Sequence, residues 1–221
     1  MVRINGYTTE ALGRQMAAYV EDEIATIRRG QILHPTYQIV LDALNEIHAV
    51  EKKSLTLLDV GCGVGLYCAV TKTAKFVVCY DGVDFNEYMI TRALELFPQS
   101  VFMPGDATNL HVIGSGSYNV VLAGAVLEHI PEWKLALSEI CRVSGRWLIL
   151  HRTLLTIRNG KTRTEQQTAY DQPVWRVYIN RQELENKLVN FGFRVVKEWP
   201  VCIDGGENRR GEQITFLCQR A

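Results

Sequence analysis

The chain has 221 residues, 47% of them hydrophobic, enough to bury one sizeable core without requiring a second. Its 24 basic and 24 acidic residues cancel, which leaves no electrostatic footprint for a nucleic acid partner. The six cysteines include no C-x-x-C pair and mostly fall inside apolar patterns, as Cys79, Cys141 and Cys218 do. They read as reduced core residues, and with no signal peptide and no apolar run near about eighteen residues, no membrane is expected and the cytoplasm is the default location.

In chain order, Leu12, Met16, Tyr19, Val20, Ile24 and Ile27 recur at helical spacing and predict a helix over residues 9–29. Pro35, suited to the first position of a helix, opens a second that runs to about Val50. Neither belongs to the alternation of strands and helices that follows, so residues 1–53 read as a helical cap and 54–221 as the core. Residues 54–60 form an apolar run carrying Asp59 at its carboxyl edge, as expected of a parallel strand covered on both faces. Gly61, Gly63 and Gly65 follow at alternate positions, where glycine permits positive φ and lets a ligand approach the backbone without a Cβ in the way. A helix can start at Leu66 and reach Thr73.

A second strand over residues 76–83 ends in Asp84, twenty-five residues after Asp59, with Phe85 next to it. A third, 100–103, runs into Pro104-Gly105-Asp106-Ala107. A fourth, 118–123, breaks at Gly124 and continues as Ala125-Val126-Leu127-Glu128-His129-Ile130-Pro131. Asp84 and Asp106 can each be read as a ligand-binding acid or as the N-cap of a following helix. A helix over 131–143 then leads to a fifth strand, 146–151, closed by His151. Residues 152–179 are long, polar and poorly periodic, which in a compact domain reads as an insertion or lid. Trp175, Arg176 and Tyr178 stand at its aromatic end. A helix over 181–191, with Gly192 as its C′ residue, and two strands, 193–201 and 213–219, complete the chain.

The glycine loop departs from the G-x-G-x-x-G dinucleotide fingerprint, because its third glycine arrives one residue early. Its D-x-G-x-G-x-G pattern resembles motif I of the class I S-adenosylmethionine-dependent methyltransferases. Gly105-Asp106-Ala107 and Leu127-Glu128-His129 resemble the elements that follow the third and fourth strands in that family, and the likeness covers residues 54–220. It implies an α/β fold: a Rossmann-like, doubly wound, seven-stranded and mostly parallel sheet with an antiparallel last strand, helices on both faces and extra N-terminal helices. It further implies S-adenosyl-L-methionine as cofactor, no metal, a small-molecule acceptor with an oxygen, nitrogen or carbon nucleophile, and a monomer or homodimer.

Carried over residue by residue, the resemblance assigns cofactor contacts to Asp59, Gly61, Cys62, Gly63, Gly65 and Tyr67, to Asp84 and Phe85, to Asp106 and Ala107, and to Ala123 and Gly124. In the family, N-terminal helices often fold over the cofactor, which makes Tyr19, His34 and Tyr37 candidate walls of a substrate pocket, with Glu128, Trp175, Arg176 and Tyr178. The alternative is that the helix pair only packs on the sheet. His129 and His151 are the two base candidates, because an imidazole titrating near about 6.5 can take a hydroxyl proton at neutral pH. Their alternative is a structural role. A noncatalytic cofactor-binding subunit, and a methyltransferase acting on a protein or RNA, are the competing functions.

Overall fold

The computed structural model describes residues 34–169, 172–201 and 211–221, together with residues 17, 20–22, 24, 25 and 27–29. In chain order the elements are α1 (Pro35–Glu51), β1 (Leu55–Val60), α2 (Leu66–Thr71), β2 (Val78–Asp84), α3 (Glu87–Leu96), β3 (Val101–Pro104), β4 (Tyr118–Gly124), α4 (Trp133–Val143), β5 (Ser144–Thr156), β6 (Arg163–Ala169), β7 (Gln172–Tyr178), α5 (Arg181–Asn190), β8 (Phe193–Pro200) and β9 (Gly211–Arg220). Seven strands form one sheet in the order β3-β2-β1-β4-β5-β9-β8, and β6 pairs with β7 in a separate two-stranded sheet. The doubly wound, mostly parallel architecture expected from the sequence is the one observed. No helix among the described residues is long and apolar enough to cross a membrane.

The chain condenses into two compact units, one of residues 1–107 with 167–174 and one of 108–166 with 175–221. In the first, β1 lies parallel to β2 and β2 parallel to β3. Five of the six β1 residues are buried, which is why this stretch reads as a continuous apolar run instead of an alternation. Helix α1 begins at Pro35, with His34 as N-cap accepting from the Thr36 amide, and buries Val40, Ala43, Leu44 and Ile47 at helical spacing. Before it, Ala17, Ile24 and Ile27 are buried. Glu21 pairs with Arg92 at 2.8 Å, and Arg28 donates to the carbonyl of Leu96, so this segment packs on α3.

In the second unit β4 runs parallel to β5, and β9 is antiparallel to both β5 and β8. The amphipathic α4 buries Trp133, Ala136, Leu137, Ile140, Cys141 and Val143. Asn180 caps α5 by accepting from the Glu183 amide at 2.9 Å, and Gly192 after it sits at φ 79°, as its C′ assignment requires.

One expectation is corrected. The fifth strand does not stop at His151 but continues to Thr156. The polar His151-Arg152 pair marks a β-bulge, where the register against β9 shifts between Leu150 and Thr153, and Arg152 adopts φ 57°. Of the 152–179 segment, read as an insertion or lid, the start belongs to β5 and most of the remainder forms β6 and β7. Its polarity reflects a two-stranded ribbon outside the main sheet.

Candidate active site

The glycine loop after β1 is a cradle built from the first unit. Gly61, Gly63 and Gly65 take φ values of 75°, 54° and 88°, which L-residues with a Cβ rarely adopt. Crowding enforces Gly65 as well, since a Cβ there would meet Phe97 at 3.0 Å and Phe102 at 3.1 Å. At Gly63 a Cβ would meet only Met89 Sδ at 3.4 Å, ordinary contact, so protein packing leaves the space over that residue open. The Gly63 amide donates to Asp84 Oδ2 at 2.9 Å and the Asn86 amide to Oδ1 at 2.8 Å. Asp84 thus fastens the loop to the end of β2. The N-cap of α3 is Asn86, whose side chain accepts from the Tyr88 and Met89 amides, and no helix follows Asp106, so neither acid is a helix cap.

Asp59 is fully buried. The Tyr80 hydroxyl donates to its Oδ2 at 2.6 Å, whereas Oδ1 has no partner among the described residues. Desolvation raises the Asp59 pKa to about 8, the nearby Asp84 carboxylate adds to this, and the Tyr80 hydrogen bond opposes it. Burial likewise pushes Asp84 up, against the two backbone amides that stabilise its ionised form. Two carboxylates held in a desolvated recess with one oxygen unsatisfied form a site suited to a cationic group.

Around the cradle, Tyr67 is buried and meets Tyr37 edge-on at 6.3 Å between ring centroids, and Tyr37 in turn contacts His34 at 5.7 Å. Helix α1 therefore packs against the helix that grows out of the loop. Phe85 keeps 48% of its surface exposed at the end of β2, Asp106 is exposed and Ala107 is buried. Cys62 is buried, and its thiol is pushed up first by desolvation and then by the Asp84 and Asp59 charges, which makes it a poor nucleophile. Tyr19 lies outside the described residues.

The second unit gathers a polar network at the carboxyl ends of β4 and β5. Ala123 is buried in β4, and past Gly124 the chain turns through Ala125 at φ 54°, whose amide donates to the His151 carbonyl at 2.8 Å. Glu128, only 2% exposed, accepts from Arg176 Nη1 at Oε1 and from Gln213 Nε2 at Oε2, the latter at 3.3 Å. Arg152 Nε donates to Gln213 Oε1 at 3.3 Å. His129 Nδ1 donates to the Trp175 carbonyl at 3.2 Å, which leaves the Nε2 lone pair facing Arg176 Nη1 at 3.4 Å. Burial raises the Glu128 pKa, against the pull of Arg176 and Arg152.

Desolvation lowers the His129 pKa to about 4, reinforced by the Arg176 and Arg152 guanidinium charges and opposed by the Trp175 carbonyl. Its side chain retains 39% exposure, whereas that of Glu128 beside it is 2% exposed. His151 is not on an open rim: its ring is fully enclosed, with Nδ1 2.8 Å from Thr215 Oγ1, and burial lowers its pKa to about 3. Tyr178 is also corrected, from pocket wall to core, since it is buried beneath the Arg163 guanidinium at 3.9 Å.

Trp175 and Arg176 do reach His129 and Glu128, although β7 brings them there as a strand and not as a loop. Arg152 and Gln213 were missed. Arg152 carried a signal as the residue after a strand-end histidine; Gln213 carried none. A groove of about 420 Å³ at the start of β5 is lined by Ser115, Gly116, Arg142, Gly145 and Arg220. There Arg142 and Arg220 donate to backbone carbonyls of Leu110, Ile113, Cys141 and Ser144, so it is a structural clamp.

Residues 32–198 match the family described as a methyltransferase domain. The chain belongs to the methyltransferase domain family. Among curated methyltransferases it is 28% identical over 144 residues to a ubiquinone biosynthesis O-methyltransferase of Caulobacter vibrioides, covering 60% of this chain and 56% of that protein. It is 32% identical over 94 residues to a human thiol S-methyltransferase, covering 40% of this chain and 38% of the relative. The match thus spans little more than half the length of the first relative. Among solved structures, magnesium protoporphyrin IX methyltransferase from Synechocystis PCC 6803 with bound S-adenosylmethionine superposes with a TM-score of 0.59 at 18% identity, over 100% of this chain and 86% of that one. An S-adenosylmethionine-dependent methyltransferase from Clostridium acetobutylicum gives 0.62 at 13% identity, over 94% and 98% of the two chains. These two likenesses establish the methyltransferase fold.

Proposed function

We propose that the chain is an S-adenosylmethionine-dependent methyltransferase acting on an oxygen, nitrogen or carbon nucleophile of a small molecule. The observation that carries this reading is the cradle: three positive-φ glycines at alternate positions, fastened to Asp84 beside a buried Asp59 with one oxygen unpartnered among the described residues. S-adenosylmethionine, when bound, supplies an electrophilic methyl group on a sulfonium that an acceptor displaces in line. The residues present fit such a cation. Asp59, buried behind the loop with Oδ1 unpartnered among the described residues, would be favoured as a carboxylate by a nearby cation, and Asp84 retains lone pairs beyond those used by the two amides that could accept from ribose hydroxyls. Gly63 leaves the backbone open, and Phe85 presents an exposed ring at the end of β2.

On the acceptor side, Glu128, Arg176 and His129 hold and orient substrate, with Trp175 supplying shape. His129 remains neutral at physiological pH, and with Nδ1 on the Trp175 carbonyl and Nε2 facing Arg176 Nη1 it orients Arg176; it can take a hydroxyl proton only when Arg176 turns away. His151 braces β5 from inside. With no strong base among the described residues of this network, positioning carries most of the rate, and oriented binding of two reactants is worth up to roughly 7–11 kcal/mol. A small-molecule acceptor is supported by the likeness to a ubiquinone biosynthesis O-methyltransferase and a thiol S-methyltransferase.

Calorimetric titration with S-adenosylmethionine, S-adenosylhomocysteine and NAD tests the reading. Micromolar binding of the two sulfur compounds with none of NAD is the expected result. NAD alone, or no ligand, would overturn it.

A further inference from the structure

The network in the second unit contains two guanidiniums, Arg152 and Arg176, and one carboxylate, Glu128. The imidazoles that adjoin it, His129 and His151, are neutral at physiological pH, so two positive charges less one negative leave the cluster, among the described residues, at plus one. Glu128 is buried, and the two guanidiniums around it are half-buried, with the Arg176 side chain 29% exposed. A partly desolvated excess charge that water still reaches favours an anionic partner.

How Arg152 is held indicates where that counterion goes. If it only braced Glu128, its terminal fork would face the carboxylate directly, the strongest geometry open to such a pair. Instead it uses Nε on a neutral amide, Gln213 Oε1, which relays to Glu128. Nη1 and Nη2 of Arg152 have no partner among the described residues. The side chain is carried on a left-handed residue at a β-bulge, a conformation that persists only where surrounding structure enforces it. Arg176 is similar: Nη1 serves Glu128 and His129, and its remaining donors have no described partner. Two partly engaged guanidiniums tied by one hydrogen-bonded chain, Arg152–Gln213–Glu128–Arg176, are preorganised for a planar anion.

We propose that the methyl acceptor carries a carboxylate group, and that Arg152 and Arg176 bind it while Gln213 and Glu128 hold the two guanidiniums apart. This rests on the methyltransferase reading and narrows its substrate to small carboxylic acids that bear a methylatable group. Glu128 sets the charge balance: it keeps the site at one net positive charge, which matches a monoanion.

The test uses the full chain, with and without saturating S-adenosylhomocysteine, titrated with benzoate and with its neutral isostere benzamide by ligand-observed NMR. Benzoate is expected to bind at least about tenfold more tightly than benzamide. Arg152→Gln should erase that preference while leaving S-adenosylhomocysteine affinity within about twofold. Glu128→Gln, which raises the net charge to plus two, should strengthen benzoate binding several-fold and leave benzamide unchanged. Equal binding of the two probes by the unaltered chain overturns the proposal, and that comparison stands whether or not either variant folds. A full preference retained in a folded Arg152→Gln protein also overturns it. If S-adenosylhomocysteine fails to bind but the benzoate preference and its loss in Arg152→Gln persist, the anion site stands and the methyltransferase reading falls.

Discussion

The Gly63 amide donates to Asp84 Oδ2 at 2.9 Å, a bond that spans twenty-one residues and ties the turn after β1 to the tip of β2. One carboxylate thereby fixes the shape of the glycine loop and remains available to a ligand through its other lone pairs. Asp84→Ala should remove both contributions. Loss of a charge-assisted hydrogen bond predicts S-adenosylhomocysteine binding weaker by about 1.5–3 kcal/mol. Calorimetry on the variant checks it; unchanged affinity would restrict Asp84 to loop architecture.

Gly63→Val should abolish cofactor binding with only a modest loss of fold stability. The site over Gly63 is open to a side chain, so what suffers is the backbone at φ 54° and the ligand's path. A β-branched residue in that conformation costs about 1–3 kcal/mol. A cooperative melt with no detectable S-adenosylhomocysteine binding is the predicted pair of results.

Asp59 gives a pH signature. Its folded pKa of about 8 lies above the unfolded value near 3.9, so ionisation is disfavoured in the fold. The stability this provides is complete below about 3.9 and is lost as pH rises through 8, with a slope of at most about 1.4 kcal/mol per pH unit. His129 and His151, with folded pKa values of about 4 and 3, act in the opposite sense and lose stability as pH falls below about 6.5. In the window from about 6.5 to 8 these two histidine contributions are constant, and the raised carboxyls set the slope, Asp59 first, with Asp84 and Glu128 in the same sense. Denaturant midpoints of the ligand-free chain should decline across it, and Asp59→Asn should flatten the decline. A cationic ligand favours the carboxylate, so binding should release a proton in the same window, read by calorimetry in buffers of different ionisation enthalpy.

The two histidines should separate cleanly. His129→Ala should lower turnover with little change in stability, and the wild-type rate should show no inflection near pH 6.5. His151→Ala should instead cost about 1–3 kcal/mol of stability, because Thr215 Oγ1 loses a buried partner 2.8 Å away. Thermal melts and pH-rate profiles distinguish the roles.

Alkylation should spare the cradle. Cys62 is buried with its thiol pushed up, whereas Cys79 is exposed, so limiting iodoacetamide should label Cys79 before Cys62. Peptide mass mapping reads the order.

The cradle was legible in the sequence because it depends on local chemistry. Positive φ at Gly61, Gly63 and Gly65 is written in residue type, and Asp59 and Asp84 fall at the ends of apolar runs. The acceptor side was only partly legible. Glu128, His129, Trp175 and Arg176 stood out as polar or aromatic residues at element ends, but the contacts between them span forty-six to forty-eight residues and depend on how β7 returns to the turn after β4. Gln213 sits eighty-five residues from its Glu128 partner inside an otherwise ordinary strand. His151 was misplaced because a polar His-Arg pair reads as a strand terminus, when it marks a bulge in a strand that goes on to Thr156.

That bulge also governs how β5 can change in length. Strand faces alternate residue by residue, and the one extra residue between Leu150 and Thr153 reverses which parity looks to which side of the sheet beyond it. Deleting Arg152 would restore uninterrupted pairing with β9 and leave Thr153 opposite Ile214, so the later β5 residues would keep their partners and their faces. The extra residue is absorbed at the bulge, and what its loss would remove is the left-handed backbone that carries the Arg152 side chain.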